Sequence, residues 1–149
     1  MRILLTGANG HLGRAVRRVG AREHEFVFLE RSVDFAWEDG SLGFRGSVTD
    51  RDLVFRAAKG CQAIIHTAAM HGSSAGKEPN SAFIETNVMG AENLFSAALE
   101  HGIRRLVMSS TMEVQVGRDW GGYGTAVLDE SLPPRPTWIY PVTKLQVEV

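Results

Sequence analysis

Short apolar runs alternate along this chain with longer stretches in which apolar and polar residues are mixed. The runs cover Arg2–Thr6 and residues 25–29, 62–66 and 106–111, with a shorter one at residues 44–46. Runs of this length, bounded by polar or glycine residues, are typical of strands that are buried on both faces. The pattern therefore predicts five strands.

The stretches between these runs have the spacing and end signals of helices. A first helix is predicted over residues 14–19. A second is predicted to have Thr49 as its N-cap, with Asp52 three residues on as an imperfect capping box and Gly60 as its C-terminal stop. Residues 71–76, rich in glycine and serine, are predicted to form a flexible loop.

The longest predicted helix opens at Pro79 and runs to about His101, ahead of Gly102. A last helix is predicted to start within residues 138–149. The apolar positions of the longest helix predict a sheet-facing stripe formed by Phe83, Ile84, Val88, Leu94, Phe95, Ala98 and Leu99.

Strands and helices alternate from one end of the chain to the other, apart from irregular stretches at residues 32–41 and 117–136. Such alternation favours a parallel sheet with helices on both faces. We therefore predict one doubly wound α/β domain over residues 1–149, with no internal linker and no repeat.

A glycine-rich turn joins the first strand to the first helix. Gly7 permits a sharp turn, Gly10 lets the backbone approach a phosphate, and Gly13 lets the helix lie close to the strand. The N-terminus of that helix offers free N–H groups and the positive end of a dipole. The spacing predicts a pyrophosphate site in a Rossmann-type NAD(P)-binding domain. A plain β–α turn is the alternative for the glycines alone.

An acidic residue follows the second strand about 20 positions after the glycine turn. Glu30 stands where a carboxylate would bind the ribose 2′-hydroxyl of NAD and repel the 2′-phosphate of NADP. The neighbouring Arg31 could instead accommodate that phosphate. We predict NAD as the cofactor, with NADP disfavoured; a polar residue that merely ends a strand is the alternative for Glu30.

Tyr140 and Lys144 are four residues apart, which places both side chains on one face of a helix. An ammonium beside a phenol favours the phenolate, so we expect Lys144 to lower the pKa of Tyr140. Tyr140 would then be a general acid or base for a hydroxyl or carbonyl group. Thr111, after the fifth strand, could supply a hydroxyl to the same oxygen.

Composition restricts the class of protein. The chain has 149 residues, of which 44% are hydrophobic and 22% charged, with a net charge of −1. This balance gives no reason to expect a nucleic-acid partner or an anionic membrane surface. The single Cys61 excludes an internal disulfide, and His11 and His66 lack partners at metal-ligand spacing. We therefore expect a cytoplasmic protein without a metal site or a membrane segment.

Five motifs in order resemble the extended short-chain dehydrogenase/reductase family, which contains the nucleotide-sugar epimerases and dehydratases. They are residues 6–13 (TGANGHLG), 65–69 (IHTAA), 87–94 (NVMGAENL), 109–111 (SST), and Tyr140 with Lys144. The resemblance covers the whole chain, and it implies a sugar or nucleotide-sugar substrate and leaves a homodimer open.

The resemblance also implies roles for individual residues. Tyr140 would be the acid/base, Lys144 would hold the nicotinamide ribose and tune Tyr140, and Thr111 would complete the triad. Asn87 would lie near the active-site end of the long helix, or would simply pair with neighbouring backbone. Cofactor contacts are expected from Gly7, Asn9, Gly10, His11, Leu12, Gly13, Glu30, Arg31, Ser47, Val48, Thr67, Ala68, Ala69, Asn87, Ser109, Tyr140 and Lys144.

Three departures from the family pattern affect these expectations. Gly46-Ser47 replaces Gly-Asp before the third turn, which weakens an expected adenine contact, and residues 114–117 (VQVG) replace Val-Tyr-Gly. The dehydratases have Thr-Asp-Glu where this chain has Thr111-Met112-Glu113, so Met112 removes an acid and argues against dehydration. Glu113 is shared with the decarboxylating branch, from which Met112 also departs.

These observations predict NAD-dependent oxidoreduction at a sugar or nucleotide-sugar carbon, as in an epimerase or a sugar dehydrogenase. A non-catalytic dinucleotide sensor is the alternative, although a sensor would not need Tyr140, Lys144 and Thr111. Family members add C-terminal strands and a substrate lobe after the Tyr-Lys helix. We therefore expect the 149 residues alone to be an inactive fragment, with an exposed edge on the fifth strand and a C-terminus that is poorly ordered or stabilised by a partner.

Overall fold

A five-stranded parallel sheet forms the centre of the molecule in the computed structural model, which describes residues 1–32, 42–116 and 128–148. The strand order is β3-β2-β1-β4-β5. The strands are β1 (Arg2–Thr6), β2 (Glu25–Glu30), β3 (Leu42–Arg45), β4 (Ala63–His66) and β5 (Leu106–Met108). The predicted five strands and their parallel pairing are confirmed.

The strand order reverses at β1. Leu4 is in register with Val27 of β2 on one side and with Ile64 of β4 on the other. The chain thus runs outward through β2 and β3, then crosses back to β4 and β5. In open α/β sheets a crevice lies outside the carboxyl ends of the strands at such a reversal. The fold therefore places a ligand site beside Thr6 and His66, the last residues of β1 and β4.

Six α-helices connect and flank the described strands. They are α1 (His11–Gly20), α2 (Arg51–Ala58), α3 (Asn80–Phe83), α4 (Gly90–Glu100), α5 (Glu113–Val116) and α6 (Ile139–Gln146). A π-helical segment (Ile84–Met89) joins α3 to α4, so the three form the long helix predicted from the sequence. A short 3-10 turn (Gly72–Ser74) lies within the predicted loop after β4.

The sheet is buried on both faces, as the continuous apolar strands predict. Leu4 and Val27 belong to a larger core that includes Val54 of α2 and Leu94 of α4. Ile3, Leu5, Phe26 and Phe28 belong to a second core, against which Val16 of α1 packs. Successive residues of β1 alternate between these cores because strand side chains point to opposite faces. Two layers of helices therefore hold the strand ends in fixed positions.

Several predicted boundaries need correction. The N-cap of α2 is Asp50, not Thr49, because its carboxylate accepts a hydrogen bond from the Leu53 N–H at 3.0 Å. A cap of this kind contributes about 1 kcal/mol. Gly60 has a φ of +77°, in agreement with its predicted role as a stop. The fifth strand ends at Met108 rather than at Thr111, because its partner β4 ends at His66.

The predicted stripe on the longest helix is only partly correct. Phe83, Leu94 and Ala98 are buried, whereas Ile84, Phe95 and Leu99 are exposed. Asn87 and Ala91 are buried as well, so the buried face follows positions 83, 87, 91, 94 and 98, which are three or four residues apart. Ile84, Phe95 and Leu99 therefore lie outside the surface that packs on the sheet.

The exposure of the sheet edge and the position of the last helix are also explained by how the elements pack. Val107 in β5 is 62% exposed, as expected for a strand at an edge. Helix α6 packs against α3 and the π-helical segment, and it buries Thr143 and Lys144. Residues 33–41 and 117–127, which make up most of the irregular stretches predicted at residues 32–41 and 117–136, lie outside the described residues, as does Val149.

His66 is a buried structural histidine. It is 2% exposed, and its Nδ1 lies 2.6 Å from the Thr6 Oγ1. Burial, with a smaller effect of the Lys144 charge, lowers the pKa of His66 from 6.5 to about 3. The imidazole is therefore neutral in the folded protein over the whole physiological range.

We expect His66 to make the protein sensitive to acid. The unfolded chain binds a proton at His66 below pH 6.5 and the folded chain does so only near pH 3, so stability falls as the pH decreases through this window. Between pH 6.5 and 5 this loss is about 2 kcal/mol. His66→Asn, which keeps a polar atom near the Nδ1 position, should lose this component when urea unfolding is compared at the two pH values. An equal acid loss in both proteins would contradict the assignment.

Candidate functional site

An open crevice of about 200 Å³ lies at the carboxyl ends of β1, β2 and β4, where the strand order reverses. Most of its lining was predicted from the sequence. The lining residues are Gly7, Gly10, Leu29, Glu30, Arg31, Gly46, Ser47, Val48, Thr67, Ala68, Ala69 and Thr86. Thr86, in the π-helical segment, was not predicted, because a single threonine one residue before Asn87 gives no signal in the sequence.

The glycine turn brings three backbone segments closer together than side chains would allow. Gly7 has a φ of +71°, and a Cβ there would lie 2.5 Å from the Ala68 nitrogen. A Cβ on Gly13 would lie 2.2 Å from the Gly7 oxygen. Gly10 caps α1 without any side-chain hydrogen bond, so the first N–H groups of the helix are not used by a capping side chain. This cradle fits a phosphate group.

Asn9 links the glycine turn to the end of β2. Its N–H donates to the Glu30 Oε2 at 2.9 Å, and its Nδ2 donates to the Ser32 Oγ at 2.9 Å. The Asn9 Oδ1 is buried and has no hydrogen-bond partner among the described residues. His11 and Leu12, also predicted as contacts, are exposed in the first turn of α1 and are not among the lining residues of the crevice.

The Glu30 carboxylate is held in place by backbone donors. Its Oε1 accepts from the N–H groups of Arg31 at 2.7 Å and Ser32 at 3.3 Å, and its Oε2 accepts from Asn9. A carboxylate has about four lone-pair positions, so three bonds leave capacity for one further donor such as a ribose hydroxyl. Ser32, which the sequence analysis did not single out, helps to fix the Glu30 carboxylate and the Asn9 side chain.

The opposite wall of the crevice is fixed by local hydrogen bonds. The Ser47 Oγ accepts from the Thr49 N–H at 3.2 Å and from its hydroxyl at 2.8 Å. The Val48 carbonyl accepts from the Asn93 Nδ2 at 2.9 Å, which ties the wall to α4. The Thr67 hydroxyl donates to the Thr6 carbonyl at 2.8 Å. These bonds hold the walls in place without any ligand.

Asn87 connects the loop after β4 to α6. Its Oδ1 accepts from the Met70 N–H at 2.7 Å, and its Nδ2 donates to the Met70 carbonyl at 3.1 Å and to the Thr143 Oγ1 at 3.0 Å. Thr143 in turn donates to the Tyr140 carbonyl at 2.8 Å. Both N–H groups of the buried amide and one lone pair of its oxygen are therefore used by protein groups, which agrees with the alternative interpretation of Asn87. Its contact with a cofactor stays a prediction.

Thr111 and Tyr140 lie near each other, as predicted, and the Thr111 side chain acts on the pKa of the phenol. The expected low pKa of Tyr140 is not seen. Burial and the Glu113 carboxylate raise the pKa of the phenol above its usual value, and the Thr111 hydroxyl opposes them. The pKa of Tyr140 is raised rather than lowered because loss of hydration and a nearby anion both disfavour the phenolate. In this structure Tyr140 is a neutral proton donor.

Lys144 is buried on the same helix as Tyr140, but its charge acts elsewhere. It is 3% exposed, and burial lowers its pKa while the Glu148 carboxylate offsets part of that effect. The same ammonium disfavours a proton on His66, the last residue of β4. Ser109 also reaches this point, because its N–H donates to the His66 carbonyl at 3.1 Å. Lys144 and Ser109 thus lie near the strand end beside the crevice.

Two aromatic neighbours of Tyr140 were missed by the sequence analysis. The His71 ring centre is 5.3 Å from that of Tyr140, and the Trp138 ring centre is 5.7 Å from it. A Cβ on Gly72 would lie 2.5 Å from the Trp138 ring, so the 3-10 turn packs directly on the indole. Because His71 and Tyr140 are far apart in sequence, no local pattern could reveal this contact.

Metal ligands and membrane segments are not seen in the described ranges. No group of three or more His, Cys, Asp or Glu side chains there could hold a metal ion. None of the helices in the same ranges is both long and apolar enough to cross a bilayer.

Comparison with known proteins agrees with the fold and the glycine cradle described above. Residues 3–149 match the model of the NAD dependent epimerase/dehydratase family. A 4-hydroxy-2-methyl-3-oxo-4-farnesyl-3,4-dihydroquinoline-1-oxide ketoreductase of Stigmatella aurantiaca is 33% identical over 99% of this chain and 44% of its own length.

Two solved structures match the whole domain. The UDP-glucose 4-epimerase of Thermus thermophilus in complex with NAD has a TM-score of 0.83 at 28% identity, over 99% of this chain and 49% of its own. The uronate dehydrogenase of Agrobacterium tumefaciens has a TM-score of 0.80 at 27% identity, over 99% and 53%. The chain thus spans about half the length of these relatives. The crevice, the glycine cradle and the match over residues 3–149 show that the chain belongs to the NAD-dependent epimerase/dehydratase family, within the extended short-chain dehydrogenases/reductases.

Proposed function

We propose that this chain binds NAD in the crevice and provides the acid/base group for oxidation or reduction at a sugar or nucleotide-sugar carbon. The observation that carries the proposal is the placement of the buried Tyr140 beside Thr111, whose hydroxyl acts on the pKa of the phenol, with Lys144 buried on the same helix. Two hydroxyl groups thus lie near each other, and Lys144 and Ser109 lie near the adjacent strand end. A sensor that only binds a dinucleotide would not need this pair.

NAD, when bound, supplies or accepts the hydride. The free N–H groups at the start of α1 would hold its phosphates, and Glu30 would accept a hydrogen bond from a ribose hydroxyl. Small residues at positions 68 and 69 would let the cofactor lie close to the end of β4. The lowered pKa of Lys144 reflects burial, and its ammonium would be the donor for the nicotinamide ribose.

Tyr140 moves the proton in this proposal. In the reducing direction the neutral phenol donates its proton to the substrate oxygen as the carbonyl becomes an alkoxide, and Thr111 stabilises the same oxygen by a hydrogen bond. In the oxidising direction the same group removes the proton from the hydroxyl. Removing such a group typically costs a factor of about 10² to 10⁴ in rate.

The substrate class is proposed from the neighbours. The two structural neighbours described above are a UDP-glucose 4-epimerase and a uronate dehydrogenase, and both names refer to sugars. Ketone reduction is a second candidate, because the relative from Stigmatella aurantiaca is a ketoreductase. The two candidate substrate classes can be separated by measuring turnover with the complete protein that contains these residues. The panel would comprise sugars, nucleotide sugars and aromatic ketones.

The first prediction concerns the cofactor. Titration calorimetry on the 149-residue chain should show NAD binding at least about tenfold more tightly than NADP, because the Glu30 carboxylate repels a 2′-phosphate. Glu30→Gln should reduce the difference in affinity between NAD and NADP, because it removes the negative charge of the carboxylate. Glu25→Gln is the matched control, since Glu25 lies at the other end of β2 and pairs with Arg2 at 3.2 Å. Tighter binding of NADP by the unchanged chain would exclude the assignment.

The second prediction concerns the acid/base group. Tyr140→Phe in the complete protein should reduce kcat by about 10² or more while NAD affinity stays nearly unchanged, because only a transferable proton is removed. Lys144→Met should lower both activity and NAD affinity, with Lys59→Met at the end of α2 as the control. Most of the activity surviving in Tyr140→Phe would show that another group moves the proton.

The third prediction tests the electrostatics at the phenol. Glu113 raises the pKa of Tyr140, so Glu113→Gln should move the ionisation of Tyr140 to lower pH. The alkaline rise of kcat/KM for oxidation should shift in the same direction, since the base form of Tyr140 is then reached earlier. Ultraviolet titration in a Tyr123→Phe background reports Tyr140 alone, because the chain has two tyrosines. An unchanged or higher midpoint would contradict this role of Glu113.

A further inference from the structure

His71 occupies the position in the loop after β4 that adjoins the proposed acid/base group. Its ring centre lies 5.3 Å from the Tyr140 ring centre, with the planes tilted by 52°. The imidazole is exposed, whereas Tyr140 beside it is 6% exposed. His71 is therefore an exposed polar side chain that packs beside the ring of Tyr140.

The main chain at His71 is fixed relative to Tyr140. Both backbone groups of Met70 are bound by the Asn87 amide, which also donates to Thr143. The Thr143 hydroxyl donates to the carbonyl of Tyr140 itself. Leaving a buried amide like this unpaired would cost about 1–3 kcal/mol, so the connection resists opening. The position of His71 beside the phenol is thus built into the fold.

Local hydrogen bonds also orient the imidazole. The Nδ1 of His71 accepts from the Ser73 N–H at 3.2 Å and lies 3.4 Å from the Ser73 Oγ. A backbone N–H can only donate, so Nδ1 must be the acceptor, and the neutral ring carries its proton on Nε2. Within the described ranges no protein acceptor lies within hydrogen-bonding distance of Nε2. The ring therefore offers one directed N–H group to a ligand.

We propose that His71 is a substrate-binding residue whose Nε2–H donates to a second oxygen of the substrate. This inference rests on the proposed function, because the reacting oxygen must be held at Tyr140. With the two ring centres 5.3 Å apart, a substrate whose reacting oxygen is held at Tyr140 would carry this second oxygen on a nearby carbon. The site would thereby select hydroxyl- or carboxylate-bearing substrates over ketones that lack such an oxygen.

Two substitutions separate this role from a structural one. His71→Asn keeps an acceptor near the Nδ1 position, so Ser73 remains capped, but it removes the distal donor. His71→Gln keeps an N–H near the Nε2 position and removes the cap. The first variant should raise KM about tenfold with little change in kcat, as expected for the loss of one hydrogen bond made in both ground and transition states. The second should stay within about threefold of the unchanged protein.

The measurement is steady-state kinetics on the complete protein with a polyhydroxylated substrate and its analogue deoxygenated beside the reacting carbon. The rise in KM of His71→Asn should disappear with the analogue. An unchanged KM in His71→Asn, or a larger defect in His71→Gln than in His71→Asn, would overturn the proposal. Tyr140→Phe distinguishes failure of the proposed function from failure of the role of His71. If Tyr140→Phe remains active, the proposed function fails. If Tyr140→Phe is inactive and His71→Asn has normal kinetics, only the role of His71 is refuted.

Discussion

The close contact of backbone with backbone at the end of β1 is the constraint on which the site depends. Gly7 approaches Ala68 so closely that a Cβ would lie 2.5 Å from its nitrogen, and Gly13 is packed as tightly against the Gly7 carbonyl. This contact brings the start of α1 to the point where the strand order reverses. The crevice exists because helix, turn and β4 meet there without side chains between them.

Buried polar groups connect this crevice to the helix that carries Tyr140. Asn87 and Thr143 are both buried, and each spends its hydrogen bonds on other parts of the protein. Since unsatisfied groups in such a position are costly, the connection favours one relative position of the Met70 loop and α6. Asn87 therefore acts through the groups it positions.

The electrostatics around Tyr140 differ from what its spacing to Lys144 suggests. The two residues share a helix face, yet burial and Glu113 dominate the pKa of the phenol, whereas the Lys144 charge bears on His66. Desolvation acts on every buried ionisable group, while attraction between two charges depends on where flexible side chains end. A lysine at the right spacing is thus insufficient to make a tyrosine acidic.

The sequence by itself determined the alternation of strands and helices and the glycine cradle, because both depend on local periodicity or on a motif with fixed spacing. For the same reason it determined the position of Glu30 at the end of β2 and the pairing of Thr111 with Tyr140. It did not reveal Thr86, Ser32, His71 or Trp138, nor Asp50 as the cap of α2. It also placed Ile84, Phe95 and Leu99 on the buried face of the long helix, where the structure exposes them. Only the tertiary structure decided these points, since contacts between residues distant in sequence, and the desolvation that sets each pKa, arise when the elements pack.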